Sequence, residues 1–307
     1  LREVKDIYFM KKTKVISVGE ALIDRIRNKS NKGFTDFFGG APANVACALK
    51  KLKIDSIFIG RLGSDDFGKK FIKQLNELEV NVDFLQLDND SPTRVVNVER
   101  DEFGDRFFSG FQPSNHLCFA DEALNKKLIE KELPNLEKFL LETKYLVSGT
   151  ILLTSQISSE TIFFLLEQAH KFEVKIIIDL NWREVFWDYS SFSSEISKTK
   201  RVDLIKNFLN HAHVLKLAKE EATLFFKQEN PLLISQQFLK RPDVIITDGK
   251  NPVTWCINGF EGTTKIPDSQ NIVDTTGAGD AFLAGLISKL ISTGYPQNEL
   301  EIEECIK

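Results

Sequence analysis

The 307-residue sequence lacks a run of 18 consecutive apolar residues, so it predicts no membrane-spanning helix. It also lacks a block of five or more basic residues, and its formal net charge is −4, which disfavours nucleic acid as a partner. The first residues, LREVKDIYFMKKTK, mix charged and apolar side chains and lack the pattern of a signal peptide. Together these absences predict a cytoplasmic protein without a membrane or nucleic-acid partner.

Cysteine and histidine are scarce, with 4 of each in the chain. The cysteines lie far apart and form no C-x-x-C pair, which predicts reduced thiols rather than a disulfide framework or a zinc site. His211 and His213 are close in sequence, but no third ligand stands beside them there. They therefore predict no metal site.

The sequence does contain a regular alternation of short apolar runs and helical patterns. Strands are predicted at 15–22, 55–62, 145–153, 174–181, 213–218 and 243–249, and helices at 41–52, 65–78 and 281–291. This alternation is typical of an α/β protein with a three-layer, doubly wound, mainly parallel sheet. Ligands of such proteins bind outside the C-terminal strand ends. The residues predicted at those ends are Asp24, Asn181, Lys216, Thr247 and Gly249.

Two stretches, 22–40 and 93–111, interrupt this alternation and resemble extended hairpins, the second with a turn at 102–105. They predict a small β-sheet lid outside the main domain, formed by segments 22–38 and 93–111. Its apolar side chains are expected to be exposed: Phe34, Phe37, Phe38, Val96, Val98, Phe107 and Phe108. A sheet this small cannot bury both faces alone, so it must cover the cleft, pair with a second copy, or do both. A homodimer through the lid is therefore predicted.

The stretch DTTGAGDAF (274–282) carries the most specific chemistry. A glycine-rich turn precedes an apolar helical pattern, and such a helix start attracts an anion. The backbone N–H groups of Gly277, Ala278 and Gly279 can stabilise the charge that develops on a transferred phosphoryl group. Asp280, one residue further, can accept the proton of an attacking hydroxyl group. The alternative is that Asp280 is a first-turn acid favoured by the helix macrodipole.

Three segments resemble the signatures of the ribokinase (PfkB) family of sugar kinases. They are GGAPANVACALKKL (39–52), GRLGSDDFGKKF (60–71) and DTTGAGDAFLAGL (274–286). Within that family, GEALID (19–24), APAN (41–44) and DLNWR (179–183) are most similar to fructokinases. The resemblance implies a ribokinase-like kinase domain over 13–292, with the lid segments inserted. The remaining segment, 293–307, is expected to fall short of the last helix of the family.

The resemblance also implies roles for individual residues. The sugar would contact Asp24, Gly39, Gly40, Asn44, Asn181 and Arg183. ATP would contact Lys216, Thr247, Gly249, Thr275, Gly277 and Gly279. Glu221 would act on Mg²⁺ through water, although Ala218 replaces the Asn of the family's N-x-x-E motif. A monovalent cation is a further candidate cofactor, and dimers through the lid occur in relatives.

The sequence therefore predicts an ATP-dependent, fructokinase-like carbohydrate kinase that converts fructose to fructose 6-phosphate. The same family leaves 2-keto-3-deoxygluconate, ribose and nucleosides as alternative acceptors. From another class, a catalytically silent, kinase-like scaffold protein is the alternative, which the intact Asp280 opposes and Ala218 favours.

Overall fold

The computed structural model describes residues 14–27, 33–100, 106–114, 118–188, 198–267 and 277–307. Thr275 and the predicted turn at 102–105 lie outside the described residues, as do the side chains of Phe107 and Phe108. Nowhere in the described ranges does a helix have the length and apolar character needed to cross a membrane.

The main sheet has eight strands in the order β14-β13-β12-β11-β10-β9-β1-β4. From β4 to β12 every neighbouring pair is parallel, and β13 and β14 add an antiparallel edge. The strands are β1 Lys14–Val18, β4 Ser56–Ile59, β9 Thr143–Ser148, β10 Lys175–Asp179, β11 Val214–Ala218, β12 Asp243–Asp248, β13 Asn251–Ile257 and β14 Phe260–Thr264.

Helices cover both faces of this sheet because successive strand residues point to opposite sides. Val15 belongs to a core that also contains side chains of α1 (Ala41–Lys51), α10 (Ala278–Ser292) and α11 (Glu299–Ile306). Ile16 and Val18 belong to the core on the other face. The helices there are α3 Lys126–Lys131, α4 Leu133–Glu142, α5 Gln156–Lys171, α7 Lys198–Leu209, α8 Lys219–Phe226 and α9 Pro231–Ser235. The three-layer, doubly wound fold is confirmed.

The predicted strand at 15–22 is wrong in its extent, because β1 ends at Val18 and Leu22 begins a strand of another sheet. The chain turns away at Gly19, where a Cβ atom would lie 2.3 Å from the Pro42 side chain. The predicted strand at 55–62 likewise divides at Gly60 into β4 and β5 (Arg61–Gly63), which pairs with β6 (Gln86–Asp88). Apolar alternation does not reveal which sheet a strand joins.

The small sheet is separate, with the order β3-β2-β7-β8, and it is named the lid below after the predicted segments that form it. Its strands are β2 Leu22–Arg27, β3 Phe34–Gly39, β7 Val95–Arg100 and β8 Arg106–Gln112. The two predicted hairpins are therefore present, joined through a parallel β2–β7 pair. Phe34 and Phe37 are exposed, at 53% and 50%. The prediction that Val96 and Val98 are exposed is wrong, because they pack with Ile151 and Phe186 of the main domain.

A buried arginine joins the lid to the main domain. Arg94, just before β7, is 2% exposed, and its Nε lies 3.0 Å from Asp121 Oδ2. Its Nη2 lies 3.4 Å from Glu122 Oε1. The guanidinium carbon also lies 4.8, 4.5 and 4.9 Å from the ring centres of Phe111, Phe119 and Phe186. Because a desolvated charge needs a partner, this contact fixes where the lid leaves the domain.

The remaining described helices are α2 Asp66–Glu77 and α6 Glu184–Asp188. Asp65 caps α2 by accepting the Gly68 N–H at 2.8 Å. Near the end of the chain, residues 299–306 form α11, capped by the Asn298 side chain at the Glu301 N–H. Ile302 and Cys305 are buried on this helix, so segment 293–307 contributes to the core.

Three histidines form a group at the N-terminal end of the sheet, outside the cleft. His170 Nε2 lies 3.1 Å from His211 Nδ1, and His213 Nδ1 accepts the Ile176 N–H at 3.0 Å. Burial lowers the pKa of His213 to about 4, and the nearby Lys175 and Lys240 contribute. Burial also lowers the pKa of His170 and His211.

These depressed pKa values predict acid sensitivity. The unfolded chain binds protons near pH 6.5 and the folded chain does not, so stability falls as the pH drops from there toward 4. His213→Asn keeps an acceptor for Ile176 but removes the titrating ring. Between pH 7 and 5, wild type should lose about 1 kcal/mol more than this variant, a figure reduced because the ring is partly exposed. Urea unfolding at both pH values measures this, and equal losses would contradict it.

Candidate active site

A cavity of about 340 Å³ lies between the C-terminal strand ends and the inner face of the lid. Its lining includes four of the residues predicted for the sugar: Asp24, Asn44, Asn181 and Arg183. The lining also includes Lys216, Gly277 and Gly279, which were predicted to contact ATP, and Asp280, the predicted base. These side chains come from five separate elements or loops, so the fold brings together residues that are up to 256 positions apart, from 24 to 280.

Asp280 lies in the first turn of α10, as predicted. Gly277 precedes that helix with a φ of 76°, a conformation that favours glycine, and Ala278 is the first helical residue. Asn44 Nδ2 donates a hydrogen bond to Asp280 Oδ2 at 2.8 Å. Burial raises the pKa of Asp280, while the bond from Asn44 and the charges of Lys216 and Arg183 oppose that rise. A carboxylate with a raised pKa is better able to accept a proton.

Lys216 supplies a buried positive charge beside this carboxylate. Asp179 and Lys216 are direct neighbours on the parallel strands β10 and β11. Their side chains form an ion pair of 2.8 Å between Lys216 Nζ and Asp179 Oδ2. Burial lowers the pKa of Lys216, but Asp179, Glu221 and Asp280 outweigh it, so the net shift is upward. A Cβ atom on Gly279 would lie 3.1 Å from Lys216 Nζ, which places the ammonium against the first turn of α10.

Glu221 has a structural task in addition to its predicted one. Its Oε2 accepts the Ala218 N–H at 2.7 Å, and its Oε1 accepts the Trp182 N–H at 2.6 Å. It thereby caps α8, where the methyl group of Ala218 cannot, and ties the loop after β10 to β11. Burial raises the pKa of Glu221, and the charge of Asp179 adds to the rise.

Asp24 lines the cavity from β2 of the lid, so the prediction that it ends the first strand of the main sheet is wrong. Gly39 and Gly40 do not line the cavity, so their predicted contact with the sugar stays a prediction. A Cβ atom on Gly39 would lie 2.5 Å from Asp24 Oδ2, and one on Gly40 would lie 2.3 Å from the Glu20 carbonyl oxygen. Protein atoms occupy the space beside both glycines. Any side chain at position 39 would collide with the Asp24 carboxylate, so Gly39 is needed for the observed position of that carboxylate.

Thr247 and Gly249 lie at the end of β12, one strand beyond Lys216, and do not line the cavity. Thr247 Oγ1 donates to the Leu217 carbonyl oxygen at 3.3 Å, and Gly249 has a φ of 54° in the turn to β13. Ala278 belongs to the same helix start as Gly277 and Gly279 but is not a cavity-lining residue.

Sequence reasoning missed two acids of the cavity, Glu20 and Asp179. Glu20 is 1% exposed, and burial raises its pKa to about 8. The sequence signal that could have revealed Glu20 is a single acid within the apolar run ISVGEALI. Asp179 Oδ1 is buried without a hydrogen-bond partner in the described part of the chain. Val96 and Val98 of the apolar wall were predicted as apolar side chains of the lid, whereas Leu22, Ile151 and Phe186 were missed.

Comparison with known proteins gives this geometry its context. The sequence profile of the pfkB family carbohydrate kinases matches residues 12–307. The chain belongs to the pfkB family of carbohydrate kinases. The fold and the segments that resemble the family signatures agree with this assignment, so the predicted family is confirmed.

The relatives of this pfkB family kinase include proteins described as fructokinases. The chain is 29% identical over 304 residues to probable fructokinase-5 of Arabidopsis thaliana, covering 95% of this chain and 86% of that protein. It is 27% identical over 306 residues to ATP-dependent 6-phosphofructokinase of Thermoanaerobacterium thermosaccharolyticum, covering 97% and 88%.

Solved structures with the same fold contain ligands. Fructokinase with bound ATP from Xylella fastidiosa has a TM-score of 0.79 at 24% identity, over 96% of this chain and 86% of that one. Fructokinase from Vibrio cholerae O395 in its fructose, ADP and calcium ion bound form has a TM-score of 0.75 at 24% identity, over 96% and 90%.

Proposed function

We propose that this pfkB family kinase transfers the γ-phosphoryl group of ATP to a hydroxyl group of fructose, giving fructose 6-phosphate. One observation carries the proposal: the Asp280 carboxylate at a helix start and the Asp24 carboxylate of the lid line the same cavity. A sugar between them would bind Asp24 through its hydroxyl groups while presenting another hydroxyl to Asp280. Relatives described as fructokinases support the choice of acceptor.

In the proposed reaction, Asp280 accepts the proton of the attacking hydroxyl group. The amide groups at the start of α10, with Gly277 and Gly279 at the cavity, stabilise the charge on the transferred phosphoryl group. Lys216 adds a fixed positive charge, held by Asp179 so that it does not move away during the transfer. Thr247, Gly249 and Thr275 remain proposed contacts of the nucleotide.

The residues also fit a divalent cation, for which Mg²⁺ is the proposed ion. Mg²⁺ prefers oxygen ligands, keeps several waters, and commonly binds one or two carboxylates together with substrate phosphates. Asp179 Oδ1 is a buried carboxylate oxygen without a partner among the described residues, and Asp179 lines the cavity together with Lys216. The oxygens of Glu221 already accept amide N–H groups, so its contact would run through water. The ion would neutralise phosphate charge.

No group of three or more His, Cys, Asp or Glu residues in the described ranges forms a complete metal site. The phosphates and waters would therefore have to complete the coordination of Mg²⁺, as is usual for this ion. The monovalent cation suggested by the family resemblance stays a prediction.

The acceptor side of the cavity favours a neutral sugar. Asp24 is a carboxylate, and the apolar wall offers no charge to a second phosphate or a carboxylate. Arg183 is a cation that lines the cavity, but its charge already acts on the Asp280 carboxylate, and one of its N–H groups donates to the Trp182 carbonyl oxygen at 2.9 Å. Fructose is thus favoured over 2-keto-3-deoxygluconate and fructose 6-phosphate, while ribose and nucleosides differ from it in shape rather than charge.

A coupled assay of ADP release tests the proposed function. Wild type is offered ATP and Mg²⁺ with fructose, ribose, adenosine, 2-keto-3-deoxygluconate or fructose 6-phosphate, and Asp280→Asn serves as the blank. We expect fructose to give the highest kcat/KM, with transfer to its 6-hydroxyl group identified by mass spectrometry and NMR. Preference for another acceptor would replace fructose, and turnover no higher than the blank with every acceptor would favour the silent scaffold.

The lid carries a separate proposal, a homodimer contact that also responds to sugar. Phe34 and Phe37 are exposed on β3, and this edge of the lid sheet has no neighbouring strand in the described chain. Apolar side chains along an open edge favour association with a second copy. We expect wild type to have the mass of a dimer and Phe34→Ser/Phe37→Ser to have that of a monomer.

Light scattering measures these masses, and Leu239→Ser is the matched control because Leu239 is 99% exposed far along the chain, in the main domain. Hydrogen exchange at 33–39 and 95–100 with and without fructose tests the lid role. Monomeric wild type would contradict the dimer, and exchange that is indifferent to saturating fructose would contradict the lid.

A further inference from the structure

Helix α1 begins without a cap of its own. Gly40 precedes it and has no side chain, Pro42 has no N–H group, and the first turn contains no acid. The N–H of Ala41, which has no acceptor within the helix, donates instead to Glu20 Oε1 at 3.0 Å. A residue 21 positions earlier, on the segment between β1 and β2, therefore supplies the cap. An uncapped first-turn amide in a buried setting would be costly.

The segment that carries Glu20 lies directly against this helix start. A Cβ atom on Gly19 would lie 2.3 Å from Pro42 Cγ, and one on Gly40 would lie 2.3 Å from the Glu20 carbonyl oxygen. The two chain segments therefore pack together with no space for a side chain between them, which leaves little room for either to shift independently. The position of the Glu20 carboxyl group is therefore coupled to the position of the first turn of α1.

That first turn leads to the proposed base. The Asn44 N–H donates to the Gly40 carbonyl oxygen at 2.9 Å, which closes the turn that begins with Ala41. The Asn44 side chain then donates to Asp280 Oδ2 at 2.8 Å. Glu20, Ala41, Asn44 and Asp280 all line the same cavity. A continuous series of contacts thus joins the Glu20 carboxyl group to the Asp280 carboxylate.

We propose that Glu20 is a positioning residue for phosphoryl transfer: by capping α1 it holds Asn44, and through Asn44 it holds the Asp280 carboxylate in its reactive orientation. This inference rests on the proposed function, in which Asp280 is the base. Sequence reasoning assigned Asn44 to the sugar only. The geometry gives Asn44 a second task, the orientation of the base.

The charge state of Glu20 suits this task. Burial raises the pKa of Glu20 to about 8, with the charges of Asp121 and Asp280 adding to the rise. Amide donors from Ala41 and from its own backbone oppose it. The carboxyl group is then largely protonated at neutral pH, so it does not add a second negative charge beside Asp280. An amide can therefore replace it, because the oxygen that accepts the Ala41 N–H is retained.

The test compares Glu20→Gln with Glu20→Leu. We expect Glu20→Gln to keep kcat within about threefold and Glu20→Leu to lose about 10- to 100-fold, as expected for a displaced catalytic group. The KM for ATP should stay within about threefold in both, because nothing in the series of contacts is proposed to bind nucleotide. Glu20→Asp shortens the side chain by one methylene, so its carboxyl group should no longer reach the Ala41 N–H. We expect it to lower kcat as Glu20→Leu does, although it changes the polarity of the side chain less.

The pH profile separates positioning from general stability. The hydrogen bond from Asn44 lowers the pKa of Asp280. If Glu20→Leu weakens this bond, the pKa of Asp280 rises, and the acidic limb of the kcat profile should move to higher pH. Asn44→Ala should shift the limb in the same direction, and the double variant should be no worse than Asn44→Ala alone. Asn298→Ala, which removes the cap of α11 far from the cavity, is the control and should leave kcat and the limb unchanged.

The rate of hydrogen exchange in peptides from 41–51 of the ligand-free enzyme measures how well Glu20 stabilises the start of α1, and it requires no catalytic activity. Faster exchange there in Glu20→Leu but not in Glu20→Gln supports the cap, even if wild type phosphorylates none of the sugars and the proposed function fails. With an active wild type, an unchanged kcat and acidic limb in Glu20→Leu would overturn the inference. Equal losses in Glu20→Gln and Glu20→Leu would also overturn it, since they would show that the acid itself is required.

Discussion

Replacing Asp280 by Asn is expected to lower kcat by about 10²- to 10⁴-fold, the usual span for the loss of a general base. The substitution is nearly isosteric, and the new amide oxygen can still accept the hydrogen bond from Asn44 Nδ2. Loss of the fold is therefore not expected. What the variant loses is the ability to take the proton of the attacking hydroxyl group.

Steady-state kinetics with fructose and ATP measure this effect, and calorimetry checks that both ligands still bind. Glu299→Gln is the matched control, because Glu299 is also a first-turn acid but is exposed on α11 and does not line the cavity. If Asp280 only complements a helix dipole, both variants should keep most of their activity. An Asp280→Asn enzyme with more than about a tenth of wild-type kcat would remove Asp280 from the role of base.

The raised pKa of Asp280 adds a pH dependence of known sign. A base must be deprotonated, so kcat of wild type should fall as the pH drops through the pKa of Asp280. Because burial places that pKa above the ordinary value for aspartate, the fall should occur at higher pH than an exposed aspartate would give. The limb should be absent from the residual activity of Asp280→Asn.

The sequence was sufficient for features that depend on neighbouring residues. Asp280 on the first turn of α10 follows from a glycine turn and an apolar helical pattern within one segment. The alternation of strands and helices predicted the doubly wound sheet for the same reason. The two lid hairpins were visible because neither belongs to a strand–helix unit.

Features that depend on distant pairing were not accessible in this way. Asn44 and Asp280 are 236 positions apart, and only the packing of α1 beside α10 brings them to 2.8 Å. Asp179 and Lys216 become an ion pair through the register of β10 with β11, which no local pattern encodes. Asp24 was assigned to the wrong strand because the chain turns at Gly19, where it packs against Pro42, a residue that the local pattern does not place there. Tertiary contacts decided each of these cases.

Replacing Asp24 by Ala is expected to weaken fructose binding by about 2–4 kcal/mol, or about 30- to 1,000-fold. In the proposed complex the Asp24 carboxylate accepts hydrogen bonds from two sugar hydroxyl groups. Bonds to a charged acceptor are stronger than neutral ones, and the variant would leave the hydroxyl groups unpaired in a partly desolvated cavity. Asp24→Asn should lose less, because its amide oxygen can still accept one of these bonds.

The affinity for ATP should stay nearly unchanged in Asp24→Ala, since Asp24 lies on the lid and the nucleotide is proposed to bind beside Lys216 and Gly279. Asp36→Ala is the matched control: Asp36 is an acid of the neighbouring lid strand, where it pairs with Arg25 at 2.7 Å and does not line the cavity. Its loss should leave fructose affinity within about threefold, because an exposed ion pair contributes little. Calorimetric titration of each variant with fructose and with ATP separates the two ligands. If ATP affinity in Asp24→Ala falls as much as fructose affinity, Asp24 supports the fold of the lid and its contact with the sugar is refuted.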